Sequence, residues 1–158
     1  MRVGLGFDAH PFADDPGRVL VLGGVQFPGE PGLTGHSDAD VIAHAAADAL
    51  LGAAGQGDIG LHFPDGDPAW AGADSLGILR QATELVHRAG WRPVNVDCSV
   101  VLDAPKLASH RAVMQQRLSL VVGADVTVKA KRTEGLQLDG IACWAVALVE
   151  RADDAEPA

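Results

Sequence analysis

From His36 to Gly55 the chain reads as a helix that is apolar on almost every side, built on Val41, Ile42, Ala45, Ala46, Leu50 and Leu51. Such a helix suits a core, so the rest of the fold has to cover it. Ser37 is a good N-cap, and Asp40 three residues on completes a capping box with it, which starts the helix near Asp38. Gly52 or Gly55 ends it. Asp40, His44 and Asp48 recur at i, i+4 and i+8 and therefore share one stripe. Such a row has an ordinary reading, in which His44 is a satisfied structural side chain and the two aspartates face water. The other reading gives the row a partner, and a metal ion is the obvious one.

The segment Gly4-Leu5-Gly6-Phe7-Asp8-Ala9-His10-Pro11 favours the metal. Side chains alternate along a strand, so Asp8 and His10 point the same way. With His44 they make one carboxylate and two imidazoles. Three protein ligands leave the fourth position of a tetrahedral zinc ion open, as in catalytic rather than structural zinc sites. Asp48, one turn beyond His44, is placed to accept the second ring N–H and fix its tautomer.

At 158 residues the chain is about one domain with room for a proper core, expected to span 1–151 with a disordered acidic tail at 152–158. The core must come from Val, Leu, Ile and Ala, because aromatics make up only 4% of a chain that is 47% hydrophobic. A net charge of −9 argues against nucleic acid and anionic membranes as partners. An anionic substrate then needs a local cationic site or a metal. No apolar run reaches membrane-spanning length and no targeting pattern opens the sequence, which points to the cytoplasm. Cys98 and Cys143 lie in apolar strand-like runs and read as buried free thiols in a reducing compartment.

Residues 2–9 and 18–27 read as two strands of a hairpin with an irregular tip. Residues 55–73, rich in Gly, Asp and Pro, form a long loop that is either simply mobile or an active-site flap. A second helix starts at Asp74-Ser75, with Leu76, Leu79, Thr83 and Val86 on one face, and stops at Gly90. Residues 94–103 alternate as a strand with Val94, Val96, Cys98, Val100 and Leu102 on one side. Leu107, Met114, Leu118 and Val121 mark a third helix ending at Gly123, and Val126–Ala130 is a short strand. Ile141–Val149 is apolar enough for a central or interface strand. The sum is an α+β fold, a mixed sheet with helices packed on one face.

Five runs, in order, resemble the signatures of the 2-C-methyl-D-erythritol 2,4-cyclodiphosphate synthases: residues 4–10, His36–Val41 with His44, Gly57–Gly60 with Phe63-Pro64-Asp65, Ala104-Pro105-Lys106, and Thr133-Glu134. They cover nearly the whole chain. The resemblance implies cyclisation of 4-diphosphocytidyl-2-C-methyl-D-erythritol 2-phosphate with release of CMP, in the non-mevalonate isoprenoid pathway. It implies zinc on Asp8, His10 and His44, which also border the substrate, and a second cation, Mg²⁺ or Mn²⁺, on Glu134. His36 and Ser37 fall to the erythritol phosphate, with His36 steadying the transition state. Asp58, Ile59 and Gly60 fall to the ribose and erythritol, Phe63, Pro64 and Asp65 to the flap. Ala104, Pro105, Lys106 and Leu107 fall to the cytosine and phosphate pocket, Thr133 and Leu138 to further substrate contacts. A homotrimer is implied, with each site at a subunit boundary, zinc from one chain and the cytidine pocket from its neighbour.

The likeness breaks between 131 and 140. Arg132 stands where a phosphate-contacting threonine is expected, and Gly135–Gly140 is a few residues shorter than the family's run and lacks its Arg and Glu. Arg132 or Lys131 then supplies the lost positive charge, since arginine forks onto phosphate. On that basis His36, Arg132 and Thr133 are the candidate catalytic residues. Two rivals remain open: a non-catalytic relative that binds zinc and cytidine nucleotide, and a zinc hydrolase giving a linear product.

Overall fold

The computed structural model describes residues 1–64, 66, 68–70 and 72–154. The flap residue Asp65 and tail residues 155–158 lie outside them. Among the described residues six strands and four helices follow one another: β1 (Arg2–Pro11), β2 (Val19–Leu22), β3 (Val25–Pro31), α1 (Val41–Ala54), α2 (Ile59–His62), α3 (Ser75–Arg88), β4 (Trp91–Val101), α4 (Arg111–Val122), β5 (Asp125–Lys131) and β6 (Gly140–Arg151). A 3-10 turn at Ala152–Asp154 follows β6, where the sequence suggests that the tail begins. β1, β6, β4 and β5 make one sheet in that order, with β6 antiparallel to both neighbours and β5 parallel to β4.

The fold is the expected α+β arrangement, and the apolar helix explains its centre. α1 lies against β1 and β6, with Ala45, Ala46, Ala49 and Ala53 fully buried. The strand side of that contact is glycine: a Cβ on Gly4 would sit 2.0 Å from the Ala49 carbonyl oxygen, and one on Gly6 2.1 Å from that of Ala45. Helix and strand backbones approach so closely only because one side offers alanine and the other no side chain. The opposite face of the sheet carries exposed Val3, Leu5, Phe7, Trp144 and Val146. Phe7 and Trp144 pair across β1 and β6 with ring centroids 4.9 Å apart.

Three sequence expectations change. The cap of α1 is Asp40, not Ser37: its carboxylate accepts from Ile42 N and Ala43 N, and also from Gly23 N at 2.9 Å and Gly24 N at 2.7 Å. Asp40 is fully buried and faces no water. The proposed 2–9/18–27 hairpin does not form. β1 pairs along its length with β6, from Arg2↔Val149 to Pro11↔Gly140, and residues 19–31 fold on themselves. Gly23 and Gly24, both at positive φ, make the tight turn that allows this. The 55–73 segment is not structureless, because Asp58 caps α2 through Leu61 N and Pro68–Trp70 form a 3-10 turn.

The other elements fall as expected with local shifts. α3 is capped by Asp74, and Gly90 at φ 80° follows its end. In β4 a register shift between Pro93 and Asn95 turns Val94 outward, leaving Val96, Cys98 and Val100 buried. α4 buries Met114, Leu118 and Val122, and Gly123 closes it in the left-handed conformation. Both cysteines are buried and free.

Candidate active site

The C-terminal end of β1 and the middle of α1 bring Asp8, His10 and His44 together. One ligand atom from each lies within 4.8 Å of the others. Asp8 Oδ2 is 3.0 Å from His44 Nδ1 and 3.2 Å from His10 Nε2. Burial alone would raise the Asp8 carboxyl, but its bonds to His10 and His44 outweigh that and hold it down to about 2. The carboxylate is therefore ionised throughout the neutral range, as a metal ligand must be. One hard oxygen and two imidazole nitrogens suit a divalent cation.

Asp48 does not hold His44. Its oxygens accept from Phe7 N at 3.4 Å and Ile59 N at 3.2 Å, so it ties β1 and α2 to α1. The second nitrogen of His44, Nε2, meets Ser75 Oγ at 2.8 Å and Ser37 Oγ at 3.2 Å. Ser75 Oγ is in turn bonded to Asp38 Oδ1.

The three donors open into a cavity of about 160 Å³ lined also by His36, Ser37, Ile59, Gly60, Phe63, Trp70 and Ile78. Polar groups gather at the strand end and apolar ones under the 58–73 segment, where Phe63 and Trp70 meet edge to face at 5.0 Å. Asp58 and Pro64 do not line it. The loop bearing His36 and Ser37 is pinned from both sides. Arg18 donates to the carbonyls of Leu33, Gly35 and Ser37. From the other side, Gly72 N donates to His36 O at 2.8 Å and Asp38 N to Ala73 O at 3.1 Å.

The remaining predicted residues gather elsewhere. Pro105, Lys106 and Leu107 line a separate cavity of about 270 Å³ with Arg111, Lys131 and Arg132. Ala104 is exposed beside it. Thr133 is buried and anchors the 131–140 loop to this region, donating from Oγ1 to Asp103 Oδ2 at 2.6 Å and from its amide to Oδ1 at 3.2 Å. Those two bonds hold the Asp103 carboxyl below its usual range. Glu134 is exposed at φ 52° and joins no other ligand group among the described residues. Leu138 sits on a third hollow beside Ala9, His10 and Pro11. The ends of β1 and β5 lie at the same end of the sheet with two strands between them, about 14 Å of lateral spacing. One chain thus presents the metal cavity and the Lys106 cavity side by side but separate.

Sequence reasoning missed Arg18, Asp38, Trp70, Ser75, Ile78 and Asp103. Trp70 and Ile78 had a visible signal, large apolar residues flanking a polar segment. The others act through backbone or hydroxyl partners far away in sequence.

The chain belongs to the YgbB family, whose model matches residues 1–150. The 2-C-methyl-D-erythritol 2,4-cyclodiphosphate synthase of Symbiobacterium thermophilum is 50% identical over 156 residues, covering 94% of this chain and 98% of that one. Among solved structures, a CDP-bound form of such a synthase matches with a TM-score of 0.86 at 39% identity, over 94% of this chain and 100% of the other. The bifunctional IspDF of Campylobacter jejuni matches with a TM-score of 0.88 at 37% identity; 95% of this chain is covered, which spans 42% of that one.

Proposed function

We propose that this chain is a 2-C-methyl-D-erythritol 2,4-cyclodiphosphate synthase, a phosphorus–oxygen lyase of the non-mevalonate isoprenoid pathway. The observation that carries this is the convergence of Asp8 Oδ2, His10 Nε2 and His44 Nδ1 at the mouth of the cavity that holds His36 and Ser37. In the reaction the 2-phosphate oxygen of 4-diphosphocytidyl-2-C-methyl-D-erythritol 2-phosphate forms a bond to the β-phosphorus. The bond from that phosphorus to the α,β-bridging oxygen breaks, and CMP leaves with the electron pair. The nucleophile is already an anion, so the protein's work is to position two repelling phosphates and stabilise charge in the transferring group.

Asp8, His10 and His44 hold zinc in this reading, which when bound acts as a Lewis acid on the β-phosphate. His36 and Ser37 orient the erythritol phosphate, Ile59, Gly60 and Asp58 the sugar hydroxyls, and Phe63 with Trp70 keeps water from the reacting centre. Lys106 and the backbone of Ala104–Leu107 take the cytidine arm, and Glu134 would hold Mg²⁺ or Mn²⁺, which would supply positive charge to the diphosphate. Arg132 and Thr133 bring charge and a hydroxyl to the phosphates in place of the family's longer loop. Arg132→Ala with unchanged turnover and substrate affinity would remove that role.

The separation of the two cavities within one chain supports a site completed by a neighbouring subunit, and the apolar outer face of the sheet supports a homotrimer. No helix among the described residues is long and apolar enough to cross a membrane, which supports a cytoplasmic enzyme. The test is a product assay on zinc-loaded protein with Mg²⁺. CMP with the cyclic diphosphate is expected. CMP with a linear product would mean hydrolysis, and bound substrate without CMP a non-catalytic relative.

A further inference from the structure

We infer that Ser75, with Asp38 behind it, is a positioning residue that sets the tautomer and orientation of His44 toward a metal; this rests on the metal reading of Asp8, His10 and His44. Asp38 Oδ1 faces Ser75 Oγ, and Asp38 Oδ2 accepts from Ser75 N at 3.2 Å. An ionised carboxylate only accepts, so the Ser75 hydroxyl proton points at Asp38. Its free lone pair then faces His44 Nε2 at 2.8 Å and can only accept. The proton of the neutral imidazole is thereby placed on Nε2 and the lone pair on Nδ1.

Nδ1 is the nitrogen that faces Asp8 Oδ2 at 3.0 Å. A lone pair on each atom lets both bind one cation, which is the ligand geometry the triad offers; without a cation a proton bridges the same two atoms. The relay His44–Ser75–Asp38 therefore does for this imidazole what an outer carboxylate does for many metal-bound histidines. Ser37 Oγ stands farther from Nε2, at 3.2 Å, accepts from Ala39 N, and with the Ser75 proton on Asp38 it donates to Ser75 Oγ at 3.4 Å.

Ser75 is also the first residue of α3, and the Asp38 backbone amide is bonded to Ala73. The ligand shell is thus joined to the point where the 58–73 segment returns to the fold. Ser75, the middle of the relay, is fully inaccessible, while Asp38 and His44 on either side are partly buried.

The experiment measures zinc affinity by chelator competition, together with the visible spectrum of the Co²⁺-substituted protein and thermal unfolding without metal. It uses full-length wild type, Ser75→Ala, Ser75→Thr, Asp48→Asn and His44→Ala. Asp74 caps α3, so Ser75→Ala keeps the helix. Expected is a loss of zinc affinity of about 10–100-fold in Ser75→Ala with an altered Co²⁺ spectrum. The metal-free melting temperature should stay close to wild type, Ser75→Thr should recover affinity, and Asp48→Asn should keep it. Ser75→Ala that melts lower but binds zinc as wild type would overturn the inference and leave a structural role. Equal zinc loss in Asp48→Asn would overturn it in favour of Asp48. Wild type that binds no zinc, or His44→Ala that binds it equally well, would instead overturn the metal reading itself.

Discussion

Gly6→Ala tests whether the close approach of β1 and α1 is what builds the metal set. The added Cβ would lie 2.1 Å from the Ala45 carbonyl oxygen and 2.4 Å from the Ala49 amide nitrogen. The first is about 1.3 Å short of the 3.4 Å at which ordinary contact begins. Neither obstacle is a flexible side chain, so the strand and helix backbones must part by something of that order. Overpacking of this kind costs about 1–3 kcal/mol, or more where backbone cannot yield. The functional cost should be larger than the loss of stability. Asp8 and His10 ride on β1 and His44 on α1, and metal–ligand distances tolerate only about 0.2 Å. We expect Gly6→Ala to melt several degrees lower and to lose zinc affinity by at least about tenfold. Chelator competition and calorimetry on the folded variant, beside the exposed-surface control Leu120→Ala, measure both. A Gly6→Ala protein with wild-type zinc affinity would refute the claim that this contact sets the ligand geometry.

Three further outcomes follow from the site. Arg18→Ala should lower kcat/KM by about 100-fold, because the His36–Ser37 loop loses three carbonyl contacts, and Arg18→Lys should recover little, since an ammonium cannot fork; unchanged steady-state kinetics would refute this. In metal-free protein the Asp8 carboxyl is depressed to about 2 from 3.8, so it contributes about 2 kcal/mol above pH 4 that is lost as the pH falls through 2. The stability gap between wild type and Asp8→Asn in denaturant titrations should therefore be full at pH 5 and shrink toward pH 2; a gap that does not shrink contradicts the assignment. If the outer sheet face is the interface of the proposed homotrimer, Val146→Asp should lower the sedimentation coefficient to that of a monomer, and an unaltered coefficient would remove that face from the interface.

What could be read from the sequence obeyed local rules. Period two along β1 put Asp8 and His10 on one side, and the helical repeat put His44 where α1 faces them. The cap was misplaced for a reason equally physical. Ser37 and Asp40 both carry capping side chains, and what decides between them is the β2–β3 turn, whose Gly23 and Gly24 amides need a carboxylate and come from residues 17 and 16 positions earlier in the chain. The strand pairing of β1 could not be read either. Residues 18–27 have the pattern of a partner, but Gly23-Gly24 lets them pair with 25–31, and the true partner lies at the far end of the sequence. Ser75 and Arg18 escaped notice because a hydroxyl or guanidinium bonded to distant groups leaves no periodic trace.

Among the described residues β6 follows every other strand in sequence yet is second in the sheet, clamped between β1 and β4. Synthesis proceeds from the N-terminus, so β1 leaves the ribosome with nothing to pair with along its length and waits for almost the entire chain. Until residues 140–151 arrive, the strand that carries Asp8 and His10 has its packing against α1 but lacks the backbone ladder with β6 that runs along its whole length. The full geometry of the proposed metal site therefore depends on β6 being in place. A product lacking β6 would hold the ligand residues with their strand unsupported on the edge away from α1's own contacts, and is expected to bind a metal less tightly.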